Sequence, residues 1–433
     1  MGKGQNLWKK AKKLIPGGNM LISKQPERQI PDLWPPYYKK AKGCKLIDYD
    51  GNKFTDCYMG VGPNVLGYAN SSIDNAVKSA ISKGNMSSLN SFEEVLLAEK
   101  LIEIDPTFSK VRFARTGGEA NSIAVRIARA AKKKDFVAFS GYHGWYDWYL
   151  ATNLKGKNKL KNHLLPGLEP LGVPKALRNT IFGFKYNDCD DFKRSVKNKN
   201  LAAIVIEGCR FQNPNKNFVS EINKFCKINK VCLIVDEITS GWRNTIGGVY
   251  KKFGLKPDIV IYGKGIGNGY AISCIVGKKK YLNYANESFI SSTAWTERIG
   301  FVAANSTIDF FLKNNVHLKI EKNGDYLIKK WKLLSKKHGL KINFSENSAL
   351  ASFYFDYSSQ VNSKLYKFFT DRMLDYNYLA SNSIYLSYSH TKKELDSYIK
   401  VCDKVFEEVK DLINNENKIY KLKTRKESFK RLT

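Results

Sequence analysis

The sequence predicts an α/β protein, with a mostly parallel sheet in a large domain and a smaller α+β domain after it. Short, continuous apolar runs such as VCLIV at 231–235 and DIVIY at 258–262 are typical of strands buried on both faces of a parallel sheet. Helical patterns such as 119–133 lie between most of these runs, as crossover connections require. After about residue 305 the alternation stops, which indicates a second domain.

The elements follow in order along the chain. Residues 7–15 predict a short amphipathic helix that ends at Pro16, and Asp50-Gly51 predicts the turn of a hairpin. Ser91-Phe92-Glu93-Glu94 predicts a capping box at the start of a helix. Long helical patterns cover 308–338 and 392–412. The candidate strands of the large sheet are 111–115, 136–140, 201–207, 231–236, 258–262 and 271–277, and the predicted divisions are an N-terminal segment packing with the small domain (1–70), the large domain (71–305), the small domain (306–414) and a basic tail (415–433).

Composition favours a globular protein without a membrane span or a metal site. The 433 residues are 43% hydrophobic, but no run approaches the length that crosses a bilayer. The five His have no metal-ligand spacing. Eight Cys without a C-x-x-C pair, in a chain without an export-like N-terminus, indicate reduced thiols and a cytoplasmic protein.

The formal net charge of +32 admits two explanations. One is a polyanionic partner such as nucleic acid. The other is a Lys-rich surface, which we favour because Lys is spread over the whole chain. The basic residues concentrate only at 155–161 and in the tail 418–431, so we do not expect nucleic acid to be the partner.

Polar and glycine residues follow five of the predicted strands. Thr116-Gly117-Gly118 follows the first, Tyr142-His143 the second, and Glu207 and Asp236 end the next two. Gly263 and Lys264 follow the fifth. Because the carboxyl ends of parallel strands meet at one edge of a sheet, where such folds bind ligands, these residues can converge on one crevice.

Each group suits one part of the same ligand. Backbone N–H groups of Gly117 and Gly118, at the start of a helix, suit a phosphate. Tyr142 can stack on an aromatic ring, and Asp236 can pair with a protonated ring nitrogen. A desolvated Lys264 can form an imine with an aldehyde. Phosphate, protonated aromatic ring and aldehyde together describe pyridoxal phosphate.

Taken singly, every one of these signals has an ordinary structural explanation: a turn, a loop, a helix cap, a salt bridge or a surface lysine. Five of them at corresponding strand ends are much harder to obtain by chance. A nucleotide-binding loop is not indicated, because the glycines after Lys264 lack the third Gly of G-x-G-x-x-G.

On these residues the chain resembles the class III aminotransferases of the fold-type I pyridoxal phosphate family, and within it the glutamate-1-semialdehyde 2,1-aminomutase-like branch. The resemblance implies a mostly parallel seven-stranded sheet in the large domain and the pyridoxal phosphate cofactor. It covers about residues 5–310 well. The matching stretches are 14–18, 46–57, 62–69, 111–129, 141–147, 236–243, 257–270 and 292–300.

The resemblance implies roles for the matching residues. Lys264 is the lysine of the internal aldimine and moves the proton, and Asp236 pairs with the pyridine nitrogen. Ile238 and Tyr142 cover the two ring faces. The phosphate is held by Thr116, Gly117 and Gly118. His143 either touches the ring or substrate or fixes its loop.

Two further positions carry implications for assembly and for the site. Thr293 matches the residue that reaches the cofactor phosphate of the neighbouring subunit, which implies a homodimer with shared sites. Glu207 matches a glutamate near the cofactor, although the Pro that follows it in the family is Gly208 here.

The resemblance leaves two reactions open. One is transamination between an amino acid donor and a carbonyl acceptor through pyridoxamine phosphate, and the other is intramolecular transfer by an aminomutase. An aminomutase is expected to hold its substrate with an arginine soon after Pro16-Gly17-Gly18, but here Lys24 stands near that place and Arg28 lies further on. It is also expected to have a glutamate in the segment that corresponds to 379–390, which contains no acid here. These departures favour the aminotransferase.

Overall fold

The structure is a computed structural model that describes residues 2–155, 170–415 and 419. Within these residues the chain forms two compact units. One unit comprises the described residues of 71–318, and the other joins the residues up to 70 to those from 319 onward. The predicted basic run 155–161 and the predicted tail 415–433 lie almost entirely outside the described residues.

The unit formed by 71–318 is built on a mostly parallel sheet. Among the described residues this sheet has seven strands in the order β4-β10-β9-β8-β7-β5-β6, and only β10 runs antiparallel to its neighbours. The short strand β6 escapes the sequence pattern because it has only three residues. Numbered along the chain, the strands of both units are β1 Tyr38–Lys42, β2 Lys45–Asp48, β3 Lys53–Asp56, β4 Lys110–Ala114, β5 Phe136–Ser140, β6 Ile181–Gly183, β7 Leu201–Glu207, β8 Cys232–Asp236, β9 Ile259–Tyr262, β10 Ser273–Gly277, β11 Ile342–Phe344, β12 Phe353–Phe355 and β13 Tyr378–Leu379.

Helices cover the sheet and fill the rest of the two units. The longer helices, such as Gly117–Lys132, Lys216–Ile228 and Lys392–Ile413, bury an apolar stripe at the helical period. In chain order they are α1 Lys3–Leu14, α2 Ser71–Ile81, α3 Glu93–Ile104, α4 Gly117–Lys132, α5 Asp147–Leu150, α6 Cys189–Val196, α7 Lys216–Ile228, α8 Tyr250–Phe253, α9 Lys279–Leu282, α10 Arg298–Lys313, α11 Val316–His338, α12 Ser359–Asp375 and α13 Lys392–Ile413.

The core of the 71–318 unit explains the continuous apolar runs. Every residue of β7, β8 and β9 is buried, so these strands have no solvent face that would impose alternation. The apolar face of α4, with Ile123, Ala124 and Ile127, packs against one side of the sheet. Burial of apolar surface contributes about 25 cal/mol per Å², so this contact layer stabilises the unit.

The other unit is α+β. It holds the sheet β1-β2-β3-β13 and the pair β11-β12. The predicted hairpin is confirmed: β2 and β3 pair antiparallel around Gly51, whose φ is 97°. Phe353 lies at the centre of an aromatic cluster with Trp331, Phe369 and Phe406.

Three predicted helix features were wrong. The helix predicted over 308–338 is two helices, because α10 ends at Lys313 and α11 begins at Val316, with Asn315 at a φ of 45° between them. The capping box at Ser91 is also absent: the Ser91 hydroxyl donates to the carboxylate of Glu93 instead of accepting from the helix backbone. The N-terminal helix begins at Lys3, four residues earlier than predicted.

All eight cysteines are free thiols, and all except Cys189 are buried. No helix in the described part of the chain has the length and apolarity needed to span a membrane.

Candidate active site

The parallel strands bring the predicted site residues to one edge of the large sheet. β4, β5, β7, β8 and β9 all end at this edge. In the register of the sheet, Glu207 at the end of β7 lies beside Asp236 at the end of β8, and Asp236 lies beside Ile261 of β9. Lys264 follows β9 after a single extended residue, Gly263.

Asp236 is a buried carboxylate with an organised set of donors. Asn121 Nδ2 donates to its Oδ2 over 2.9 Å, and the Ile238 amide donates to its Oδ1 over 3.0 Å. His143 Nδ1 lies 2.9 Å from Oδ2. These contacts fix the orientation of the Asp236 carboxylate.

His143 lies behind Asp236, and only 1% of its surface is exposed. Its Nε2 lies 3.1 Å from the Ser140 carbonyl oxygen, while Nδ1 faces the Asp236 carboxylate. Each ring nitrogen therefore lies within hydrogen-bond distance of an oxygen, and the two contacts fix the orientation of the ring. Of the two roles left open by the sequence, this geometry supports fixing the loop and the acid, rather than contact with a substrate.

Lys264 points its amine at the loop that follows β8. Its Nζ donates to Thr239 Oγ1 over 3.0 Å. Burial, followed by the positive charge of Arg210, lowers the pKa of Lys264 to about 8. The glycine after it is required by close packing, because a Cβ on Gly265 would lie 2.9 Å from the Trp242 carbonyl oxygen.

Glu207 and Arg210 form a buried ion pair beside these groups. Arg210 Nη1 donates to Glu207 Oε1 over 3.1 Å, and both side chains are 4% exposed. The Tyr142 amide donates to the other oxygen, Glu207 Oε2. Burial raises the pKa of Glu207, while the charge of Arg210 opposes that rise. The pair therefore links the turn after β7 to the loop that carries Tyr142.

The N-terminus of α4 combines a side-chain cap with two glycines. The Thr116 hydroxyl accepts from the Glu119 amide, and the Glu119 carboxylate accepts from the Thr116 amide, so a capping box closes this end. The free amides of the first helical turn point beyond the helix end. A Cβ on Gly117 would lie 2.6 Å from Ile238 Cδ1, and a Cβ on Gly118 would lie 2.8 Å from the Tyr146 ring.

Ile238 lines the space between the helix end and the lysine. Its side chain lies against Gly117 on one side and against Gly263 on the other, where an added Cβ would be 3.3 Å from Ile238 Cγ1. Tyr142 is half-buried and meets Tyr149 edge to face, with ring centroids 6.0 Å apart. The two predicted ring-face residues therefore both belong to the loops at this sheet edge.

Thr293 is exposed and begins a short 3₁₀ turn, Thr293–Thr296. Arg115 fixes this turn to the end of β4 by donating to the Ala294 and Trp295 carbonyl oxygens over 2.9 and 3.0 Å. The turn is therefore anchored to the same sheet edge, with Thr293 facing outward.

Arg298, just after this turn, donates to both carboxylate oxygens of Glu93. Glu297 instead accepts from Asn85 Nδ2 and lies near Arg115. Arg298 and Glu297 therefore each pair with another residue and not with each other.

These residues fit pyridoxal phosphate by the chemistry of their donors. The glycine amides at the start of a 16-residue helix suit a phosphate group. The buried carboxylate of Asp236 suits a protonated ring nitrogen, and the amine of Lys264 suits the aldehyde. The glycines leave the backbone free of side chains at the two places where Ile238 is already close.

Sequence reasoning missed three residues that complete this site. Asn121 donates a hydrogen bond to Asp236, and Thr239 accepts one from Lys264. Arg210 forms an ion pair with Glu207. Asn121 is four residues from Gly117 and so faces the same side of α4, a spacing that could have suggested it. A buried charge such as Arg210 leaves no periodic signal in the sequence.

Comparison with known proteins identifies the family. A model of class-III aminotransferases matches residues 29–373. A 3-aminobutyryl-CoA aminotransferase of Cloacimonas acidaminovorans is 32% identical over 80% of this chain and 81% of its own length. A glutamate-1-semialdehyde 2,1-aminomutase of Thermodesulfovibrio yellowstonii is 28% identical over 94% of this chain and 99% of its own.

Among solved structures, the pyridoxal phosphate internal aldimine form of the FumI protein of Sphingopyxis sp. MTA144 superposes with a TM-score of 0.86. It is 22% identical and covers 98% of this chain and 99% of its own, which supports the fold. Together with the family match over most of the sequence, this identifies the chain as a member of the class-III aminotransferases, whose cofactor is pyridoxal phosphate.

Proposed function

We propose that this protein moves an amino group from an amino acid donor to an aldehyde or ketone acceptor, with Lys264 and Asp236 as its catalytic residues. The observation that carries the proposal is the joint placement of a buried acid and a lysine of lowered pKa at one sheet edge. Bound pyridoxal phosphate supplies an aldehyde and a ring that accepts electrons.

The chain's own residues then have separate tasks. An amine with a pKa of about 8 is close to balance between its two protonation states near neutral pH, which suits a group that takes up and returns a proton. Asp236 keeps a proton on the ring nitrogen by its charge. Tyr142 and Ile238 hold the ring plane, and Gly117 and Gly118 hold the phosphate, with Thr116 beside them.

The cofactor assignment has a direct test. Purified protein should absorb in the near-UV and visible range, as a lysine-bound pyridoxal group does. Reduction with borohydride should then fix the cofactor to the peptide that contains Lys264. Lys264→Ala should lose both signals, whereas Lys278→Ala, on a lysine paired with Asp258, should keep them. An unchanged spectrum in Lys264→Ala would overturn the assignment.

An aminotransferase rather than a mutase is favoured by two segments of the sequence. Lys24 stands near the place of the arginine expected for a mutase, with Arg28 further on, and the segment 379–390 contains no acid. A mutase should convert glutamate-1-semialdehyde without an added acceptor. We expect no such conversion, and we expect common amino donors to convert the enzyme to its pyridoxamine form. Turnover of the semialdehyde alone would support the mutase.

The donor can be narrowed by mass spectrometry of half-reactions. One relative is a 3-aminobutyryl-CoA aminotransferase, so 3-aminobutyryl-CoA belongs in the panel beside glutamate and alanine. If glutamate is the donor, a basic residue should bind its side-chain carboxylate, and Lys24 and Arg28 are the first candidates. Lys24→Ala or Arg28→Ala should then raise the KM for glutamate while leaving the KM for alanine unchanged.

We also propose a homodimer with shared active sites. Large apolar side chains are exposed between α2 and α3, with Leu89 83% and Phe92 64% exposed. This segment is joined to the Thr293 turn, since the Arg298 amide donates to the Asn85 carbonyl oxygen over 2.8 Å. An apolar surface next to the turn that carries Thr293 is what a subunit contact at this position requires.

A cytoplasmic location remains part of the proposal. Its support is the set of eight free thiols, since extracellular proteins commonly pair their cysteines. Fractionation of the native cells, with an antibody against the protein, would test it. Recovery outside the cytoplasm would contradict it.

A further inference from the structure

Arg210 lies at the base of the proposed site and has no role assigned by the sequence. It follows β7 in the segment Glu207-Gly208-Cys209-Arg210, and it is 3% exposed. Its Nη1 donates to Glu207 Oε1 over 3.1 Å and approaches Thr239 Oγ1 at 3.4 Å. Burying an ion pair has a desolvation cost even when the two charges are matched, so the other contacts of Arg210 at this site bear on its role.

The same Thr239 hydroxyl oxygen accepts a hydrogen bond from Lys264. Lys264 Nζ lies 3.0 Å from Thr239 Oγ1, so two basic side chains meet at one oxygen. A protonated Lys264 would face the guanidinium across this hydroxyl, and like charges in a poorly solvated site disfavour the second proton. A neutral amine has no such conflict, because it can still donate an N–H to Thr239 Oγ1 while the same oxygen accepts from Arg210.

Other charged groups act on the same amine. Arg243, in the loop after β8, adds a second positive charge, while Glu207 and Asp236 at the strand ends act in the opposite direction. After burial, Arg210 is the largest cause of the lowered pKa of Lys264. Glu207, its ion-pair partner, partly cancels its field.

We propose that Arg210 is a positioning residue of this site, which acts through the hydroxyl it shares with Lys264 at Thr239, orients the lysine amine and shifts it toward its neutral form. This inference rests on the proposed role of Lys264 as the reactive amine. A purely structural role for the Glu207–Arg210 pair would fix the turn after β7 without altering the protonation of Lys264.

The experiment measures the protonation of Lys264 in the full chain after removal of the cofactor. Acetic anhydride acylates only the neutral amine. Its rate of reaction at Lys264 is followed by mass spectrometry between pH 6 and 10, the range that brackets the pKa of about 8. The variants are Arg210→Gln, Arg210→Lys and Glu207→Gln. Arg194→Gln, on an exposed side chain of α6, is the matched control.

Arg210→Gln should slow acylation of Lys264 at pH 7 by roughly tenfold, because loss of a nearby like charge raises a pKa by on the order of one unit. Arg210→Lys keeps the charge and should stay close to wild type. Glu207→Gln should accelerate acylation several-fold, since the guanidinium is then no longer neutralised. Opposite signs for the two members of one ion pair are not expected from disruption of structure.

A pH profile of Arg210→Gln equal to that of Arg194→Gln would overturn the inference. If Arg210→Gln does not fold, Glu207→Gln decides, and absence of any acceleration counts against it. Failure of the proposed function is recognised separately: borohydride reduction of the wild-type holoenzyme would then attach the cofactor to a lysine other than Lys264.

Discussion

Among single residues, His143 contributes to the orientation of the Asp236 carboxylate, whose Oδ2 lies 2.9 Å from His143 Nδ1. His143 stacks near Trp148 and meets Phe139 and Tyr149 edge to face. Phe at position 143 should therefore fill the same space. It cannot donate to Asp236, which would keep only its donors from Asn121 and the Ile238 amide.

We expect His143→Phe to retain the cofactor and the fold, and to lower kcat by on the order of 10- to 100-fold. That range follows from the loss of one hydrogen bond to a charged group, worth about 1.5–3 kcal/mol. Steady-state kinetics with a saturating donor, beside the absorption spectrum, would measure it. An unchanged kcat would show that Asn121 and the Ile238 amide suffice to hold Asp236.

The residues that the sequence could predict are those placed by chain order alone. Asp236 ends an apolar run and Lys264 closely follows another, so parallel pairing of the strands brings them to one edge. Thr239 and Arg210 could not be predicted in this way. Their contacts depend on how two irregular loops fold back on each other, and no repeating pattern encodes that.

At the scale of elements, the loop after β8 depends on the buried Glu237. Its carboxylate accepts from the Ser240 hydroxyl over 2.5 Å and from the Tyr250 amide over 2.9 Å. The Glu237 carboxylate leaves room only for a glycine at position 208, because a Cβ there would lie 2.5 Å from Glu237 Oε1. Gly208 also donates its amide to the Asp236 carbonyl oxygen, a bond that the Pro of the family pattern could not make.

Burial raises the pKa of Glu237 to about 7, from 4.5 for an exposed glutamate. Between these values the folded state binds a proton that the unfolded state has lost, so the free energy of unfolding falls as pH rises. The full effect is about 3 kcal/mol. Glu237→Gln removes this dependence, and its stability relative to wild type should therefore be higher at pH 8 than at pH 5.

Urea unfolding of the cofactor-free proteins at the two pH values would measure that difference. Glu99→Gln, at an exposed position of α3, is the control and should show a much smaller change between them. The glutamine offers one acceptor oxygen instead of two, so a loss of about 1 kcal/mol at both pH values is expected as well. A relative stability that falls from pH 5 to pH 8 would contradict the assignment.

The errors in element prediction have local causes. The apolar residues before and after Asn314-Asn315 keep the helical spacing, so the pattern predicts one helix. Asn315, however, adopts a left-handed conformation, which Asn tolerates better than most residues. Two segments of the chain have a sequence that is compatible with a capping box. Thr116–Glu119 forms the capping box, whereas the predicted box at Ser91 does not. The motif alone therefore does not decide where a helix begins.

At the scale of the whole molecule, the proposed dimer predicts that each active site needs both chains. The exposed segment with Met86, Leu89 and Phe92 would be buried in the contact. Leu89→Asp should shift the protein from dimer to monomer in sedimentation velocity, because a charge then replaces a buried apolar side chain. Ile228→Asp, at an exposed apolar position at the end of α7, should leave the dimer intact.

Shared sites can be tested by mixing two inactive variants. Lys264→Ala lacks the reactive amine, and Thr293→Ala lacks the hydroxyl proposed to reach the partner's cofactor. In a mixed dimer, one site combines the intact Lys264 of one chain with the intact Thr293 of the other, while the second site carries both defects. Coexpression should therefore restore about half of the wild-type activity per mixed dimer, since one of two sites is whole. If Thr293 served the site of its own chain, no site in the mixed dimer would be intact, and activity would stay at the level of the parent variants.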